Sequence, residues 1–163
     1  MSNELNILLA NIAACGQRIQ KLTYSLNKNR EIFPITLARV EALTDDQEES
    51  IDALILRYSQ CVAMIQDQIF RGIAYVEQED LSDKSNRDKT RLMEKLGAIQ
   101  SADDFGTAAI LRNKFSHQYP EEASLRIERL NLVVAEAEYV IATFADIMAY
   151  IVRKGFVSNG NGV

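Results

Sequence analysis

The sequence predicts an all-α protein, an up-and-down bundle of four to five helices. Three observations carry this: apolar residues recur three and four apart over long stretches, capping patterns precede those stretches, and turn-formers are scarce. The chain has two prolines and seven glycines, and Gly155, Gly160 and Gly162 fall in its last nine residues. A protein of many short strands would need more turn residues than the remainder supplies.

Each element follows from its pattern. Leu5, Leu8, Leu9, Ile12, Ile19, Leu22 and Leu26 form one apolar stripe, closed by Asn27, Lys28 and Asn29, and this is the first long helix. Pro34 breaks the chain, and 35–43 reads as a short helix or a packed connection, between which the pattern does not choose. Thr44-Asp45-Asp46-Gln47 is a capping box, in which the threonine hydroxyl accepts an orphan amide and the glutamine answers it. Ile51, Leu54, Ile55, Tyr58, Cys61, Val62, Ile65, Ile69 and Ile73 then make a broad stripe, which predicts a spine helix over 48–76.

Segment 77–89 (EQEDLSDKSNRDK) is almost wholly polar and reads as a loop into a short helix over 90–98, with Leu92, Leu96 and Ile99 inward. Ser101 precedes Asp103 and Asp104 in a second cap signature, and Phe105, Ala108, Leu111 and Phe115 share one helical face. Pro120 ends that helix and can open the next, with Glu121 and Glu122 near its positive end. The last helix runs to about Arg153 on a stripe of Leu125, Leu130, Val133, Ala137, Val140, Ile141, Phe144, Ile147, Met148 and Ile151. With 163 residues, 47% of them apolar, the chain encloses one core: a single domain over 1–154, followed by a flexible tail over 155–163.

Charge and composition exclude several functions. A net charge of -5 argues against broad, sequence-independent binding to nucleic acid, so any such contact must be local. Cys15 and Cys61 lie within apolar helical patterns and read as buried thiols rather than a disulfide, as expected of a reducing cytoplasm. No charged run followed by an apolar one opens the chain, so no signal peptide is expected. Glu136, Glu138 and Asp146 interrupt the apolar 130–152 stretch, so no membrane span is expected either. One histidine and two separated cysteines offer no zinc set, so neither metal nor cofactor is expected. There is no Gly-rich phosphate loop and no nucleophile elbow. The acidic pairs 45–46, 48–49, 103–104 and 121–122 all lie at inferred helix starts, where they complement the helix dipole.

The informative stretch is Leu111-Arg112-Asn113-Lys114-Phe115-Ser116-His117-Gln118-Tyr119-Pro120, which holds the only histidine. On an ideal helix Asn113 and His117 share a face, so the amide could orient the imidazole. Arg112 lies about 140° from His117 around such a helix, within reach of its long side chain. A guanidinium offers paired donors to phosphate oxygens and an imidazole moves protons near neutrality, so the pair suits phosphodiester transesterification. RNA supplies the attacking 2′-hydroxyl. The plainer reading is that His117 complements the negative end of its helix, beside ordinary surface cations, while Tyr119 packs across the turn.

The run from Arg112 to Tyr119 resembles the R-x4-H-x-Y signature of HEPN-domain proteins, in particular the HepT-like toxins paired with minimal nucleotidyltransferases. The likeness covers about residues 44–153: a long helix, the Leu111-Arg112-Asn113 opening, Tyr119-Pro120 and a long final helix. The chain is longer than compact HepT proteins at both ends and more acidic than an RNA-cutting protein is expected to be. The resemblance implies a HEPN-like bundle acting as a homodimeric, metal-independent endoribonuclease. Arg112 would steady the scissile phosphate, His117 would transfer a proton, and Asn113 and Lys114 would support them in a cleft between subunits. Tyr119 matches the tyrosine that the partner nucleotidyltransferase antitoxin modifies with AMP. A non-catalytic HEPN binding partner, which presents a nucleotide or substrate to a separate nucleotidyltransferase, and a plain helical interaction protein are the alternatives.

Overall fold

The structure is a computed structural model that describes residues 2–116 and 122–157. These residues form helices joined by short connections, with no strand among them. Helix α1 (Asn3–Asn29) starts at Ser2, whose hydroxyl accepts from the Leu5 amide. At its far end the buried Asn29 carboxamide donates to the carbonyls of Ser25 and Ser50, which ties α1 to the next long helix. The open alternative at 35–43 resolves as a short helix, α2 (Leu37–Glu41), capped by Thr36.

The expected spine is continuous over residues 45–76 but not uniform. It comprises α3 (Asp45–Met64), a π-helical turn (Ile65–Ile69) and α4 (Phe70–Val76). The Thr44–Gln47 capping box is present in both directions, with bonds of 3.0 and 3.2 Å. In the π-turn the Phe70 amide reaches back five residues to the Ile65 carbonyl.

The next helix begins earlier than the polar run suggests: α5 spans Asn86–Leu96, because Ser85 and Asp88 form a second capping box. Its most buried apolar residue is Met93, while Leu92 and Leu96 are half-buried. Gly97 (φ 85°) turns the chain, with the Ala98 amide returning to the Met93 carbonyl at 2.9 Å. Helix α6 (Ala102–Ser116) and helix α7 (Ala123–Arg153) follow. Leu125, expected inward, is 41% exposed, since the first fully buried residue of α7 is Leu130 and before it only Ile127 packs, half-buried, against the smaller core cluster. Beyond α7 the Phe156 amide bonds the Ile151 carbonyl, and Phe156 and Val157 pack on the core although their sequence lacks periodicity.

The long helices pack side by side as a bundle: α1 lies against α3, α4 and α7, and α6 lies against α3, α5 and α7. The main core gathers Leu8, Cys15, Leu22, Tyr58, Ile65, Phe70, Phe105 and Val140, all at most 1% exposed. A smaller cluster of Ile32, Ile35, Ile51, Ile55 and Leu130 holds the α1–α3 connection against α7. There Asn131 grips the backbone of Ile35, accepting from its amide at 2.7 Å and donating to its carbonyl at 3.0 Å. Cys15 and Cys61 are buried free thiols, and desolvation pushes both up to about 12, which leaves them almost wholly protonated and poorly nucleophilic.

Candidate functional site

The candidate residues fall at the end of α6, and that helix is held rigidly. Ser101 caps its start by accepting from the Asp104 amide at 3.1 Å. Ala102, Phe105, Ala108 and Leu111 face the core, and the Phe105 ring lies 4.8 Å from that of Phe70. Tyr58 bonds the Ala108 carbonyl from α3 at 2.5 Å. The last turn therefore projects from an anchored stem.

On that turn Arg112 is half-buried, beside the core stripe of Leu111 and Phe115. Phe115 packs against both core clusters. Asn113 and Lys114 are exposed, and the Ser116 hydroxyl donates to the Asn113 carbonyl at 2.9 Å. Arg112 is thus presented from the edge of the core and Lys114 from solvent. His117 and Tyr119 lie outside the described residues, so the pairing of Arg112 with His117 and the accessibility of Tyr119 belong to the sequence reading alone.

Asn113 also reaches a second feature, a groove of about 450 Å³ between α5 and α6. It shares this groove with Arg87 and Arg91 of α5, Asp103 and Gly106 of α6, and Gln66 of the π-turn. The sequence reading missed these residues. Gln66 is hidden inside an apolar stripe, and Arg87 lies in a segment read as loop. The four-residue spacing of Arg87 and Arg91 is the signal that an earlier start to α5 would have exposed.

A larger cavity of about 710 Å³ between α1, α2 and α3 is lined by Lys28, Arg39 and Arg57 and by Glu31, Asp46 and Glu49, and its two arginines serve the fold. Arg39 donates to the carbonyls of Glu31 and Ile32, and Arg57 donates to the Ser25 hydroxyl and the Lys21 carbonyl. Among the described residues no three acidic, histidine or cysteine side chains come together to hold a metal, and no helix is long and apolar enough to cross a membrane.

The fold and site define an all-helical bundle with a cationic helix end. The chain matches no family model, no curated protein and no solved structure.

Proposed function

We propose that this chain is a HEPN-type toxin: a metal-independent endoribonuclease that works as a two-fold homodimer in the cytoplasm and is neutralised by a nucleotidyltransferase antitoxin. The observation that carries the reading is the run from Arg112 to Tyr119, an R-x4-H-x-Y sequence whose arginine stands on the last turn of an anchored helix. In the proposed reaction His117 takes the proton of an RNA 2′-hydroxyl, and that oxygen attacks the adjacent phosphorus. The bond to the 5′-oxygen breaks, and the leaving oxygen takes up a proton. A 2′,3′-cyclic phosphate and a 5′-hydroxyl end result. Arg112 stabilises the charge that builds on the phosphoryl oxygens, a task suited to a guanidinium's paired donors. Two copies of Arg112 and Lys114 around a two-fold axis would give an acidic protein a small positive cleft.

The test is cleavage of a single-stranded RNA in the presence of EDTA. The parent should cut it. Arg112→Ala and His117→Ala should each lose at least about 100-fold in rate while keeping the parent's far-ultraviolet dichroism. A parent that cuts no RNA, or variants that cut as fast as the parent, would overturn the reading. Light scattering should give about 37 kDa, twice the 18.4 kDa of the chain; a monomer would rule out the shared cleft.

A further inference from the structure

The α5–α6 groove has two walls of opposite character above one unsatisfied polar group. Its floor holds Gln66, 7% exposed, whose Oε1 has no hydrogen-bond partner. A buried acceptor left unpaired costs free energy, so a donor from outside the chain is favoured there. The α5 wall carries Arg87 and Arg91, both exposed and one helical turn apart. The α6 wall is apolar, with Gly106 beside Ile110, a large side chain left 58% exposed. A glycine weakens a helix relative to alanine, and a Cβ built on Gly106 would meet no atom within 4 Å, so no close approach inside the chain accounts for it. What it leaves is a recess in that wall. One carboxylate, Asp103, lines the groove against the two guanidiniums, a local positive excess on a chain of net charge -5.

An extended peptide matches these three surfaces at once. Its alternate side chains point to opposite sides, and its main-chain N–H and C=O groups point across that direction. Laid along the groove, it sends one set of side chains to each wall and every second amide to the floor. Side chains two residues apart on one side of it are separated by ~6.6 Å, close to the ~6 Å that four residues of helix put between Arg87 and Arg91. We infer that the α5–α6 groove docks an extended segment of a partner protein with the pattern acid, apolar, acid. The two carboxylates meet Arg87 and Arg91, the apolar side chain between them enters the Gly106 recess beside Ile110, and a main-chain N–H donates to Gln66 Oε1. A helical partner leaves Gln66 unpaired, because its amides are already bonded within the helix. An RNA strand brings anions but no backbone N–H. The chain holds a backbone by a carboxamide elsewhere, where Asn131 bonds both the amide and the carbonyl of Ile35. The inference does not rest on the ribonuclease reading, since docking requires no scission.

Heteronuclear NMR titration of the full chain with a capped pentapeptide, Ala-Glu-Leu-Glu-Ala, tests it. The peptide should shift the Gly106 amide and the Gln66 side-chain amide, and should bind at least ten-fold more tightly than Ala-Gln-Leu-Gln-Ala. It should exceed Ala-Glu-Glu-Leu-Ala, which has the same composition with its acids adjacent, by a similar factor. Of two neighbouring peptide amides one faces the floor. N-methylation at the leucine or at the glutamate after it should therefore weaken binding at least ten-fold at one of the two positions, and Gln66→Leu should abolish that difference. Gly106→Leu fills the recess and should weaken the peptide at least ten-fold. Arg87→Ala and Arg91→Ala, exposed changes that leave the fold intact, should each do the same and carry the test if the leucine variant fails to fold. No binding below millimolar peptide, equal binding of the glutamine or reordered peptide, or parent-like binding by the arginine variants would overturn the inference. Tighter binding of a short oligouridylate than of the peptide at these residues would overturn it in favour of an RNA strand. Arg112→Ala should retain peptide binding, which separates failure of this groove from failure of the ribonuclease reading.

Discussion

The Tyr58 hydroxyl donates a 2.5 Å hydrogen bond to the main-chain carbonyl of Ala108, joining α3 to α6 inside the core. Both residues are fully buried. Ala108 lies one turn before Arg112, so this bond fixes the height and rotation of the turn that presents the arginine. Burial holds the Tyr58 phenol far above its ordinary range, and the Glu136 charge adds to the effect, so the group stays a donor at every working pH.

Tyr58→Phe keeps the ring and removes only the donor. The α6 helix retains its intrahelical bonds, so the loss should be about 1 kcal/mol by urea denaturation with an unchanged m-value. RNA cleavage should fall by more than stability does, because the turn carrying Arg112 loses its tether. A variant as stable as the parent would show that the bond contributes nothing net.

The bundle was legible where side chains announce backbone geometry. Thr44 with Gln47 marked the start of the spine, and Phe105, Ala108 and Leu111 marked the inner face of α6, because capping and 3.6-residue periodicity are local. Local pattern failed where the deciding partner was distant or the pattern ambiguous. The start of α5 was missed because the box at Ser85 closes with Asp88, a shorter acid than the glutamate or glutamine usual in such boxes, within an otherwise polar run. The π-turn is invisible in sequence, since Ile65 and Ile69 remain buried on either side of it. Asn131 reads as a polar interruption, yet it grips Ile35, 96 residues away. At the site the same contrast holds. Arg112, Asn113 and Lys114 could be singled out from one segment, whereas Gln66, Arg87 and Gly106 become neighbours only through packing.

Glu136 provides a charge test. Desolvation, with the nearby Asp104 carboxylate, holds its carboxyl above the usual glutamate range. Its folded form therefore binds its proton more tightly than the unfolded chain does. The associated stability is present in acid and lost as pH rises through the raised value, so ionised Glu136 opposes folding at neutral pH. Glu136→Gln should raise the melting temperature at pH 7 by about 2 °C, a modest gain because the group is only partly buried. The gain should disappear when the scan is repeated below the carboxylate range. An equal gain at both pH values would assign the effect to packing.

Glu77 behaves oppositely. The Tyr150 hydroxyl donates to its Oε1 at 2.7 Å, and Lys154 lies 3.1 Å from the same oxygen, so the carboxyl is held below its ordinary value, with the Tyr150 bond the larger cause. Stability from this cluster is present above the unfolded glutamate value and is lost as pH falls towards the lowered one. Tyr150→Phe keeps the buried ring and removes the donor. It should flatten the acid side of the stability profile and cost less than about 1 kcal/mol at pH 7, the bond lying at the solvent edge. Parallel profiles for variant and parent would remove Glu77 from the account of acid sensitivity.

Regulation of the proposed ribonuclease would turn on Tyr119, two positions after His117 and directly before Pro120 in the sequence. Attaching AMP to this phenol would bring a phosphate and a bulky base beside Arg112, Lys114 and His117. The phosphate would occupy the cations that an RNA phosphate needs, and the base would obstruct the strand. One modification would then remove both binding and proton transfer. Co-expression with a nucleotidyltransferase encoded beside this chain should yield protein 329 Da heavier by mass spectrometry, the mass of one AMP less water, with the adduct on Tyr119 and RNA cleavage lost. Tyr119→Phe should carry no adduct and should escape neutralisation while cutting RNA as the parent does. A neutralised complex with unmodified Tyr119 would instead make steric masking by the partner the mechanism.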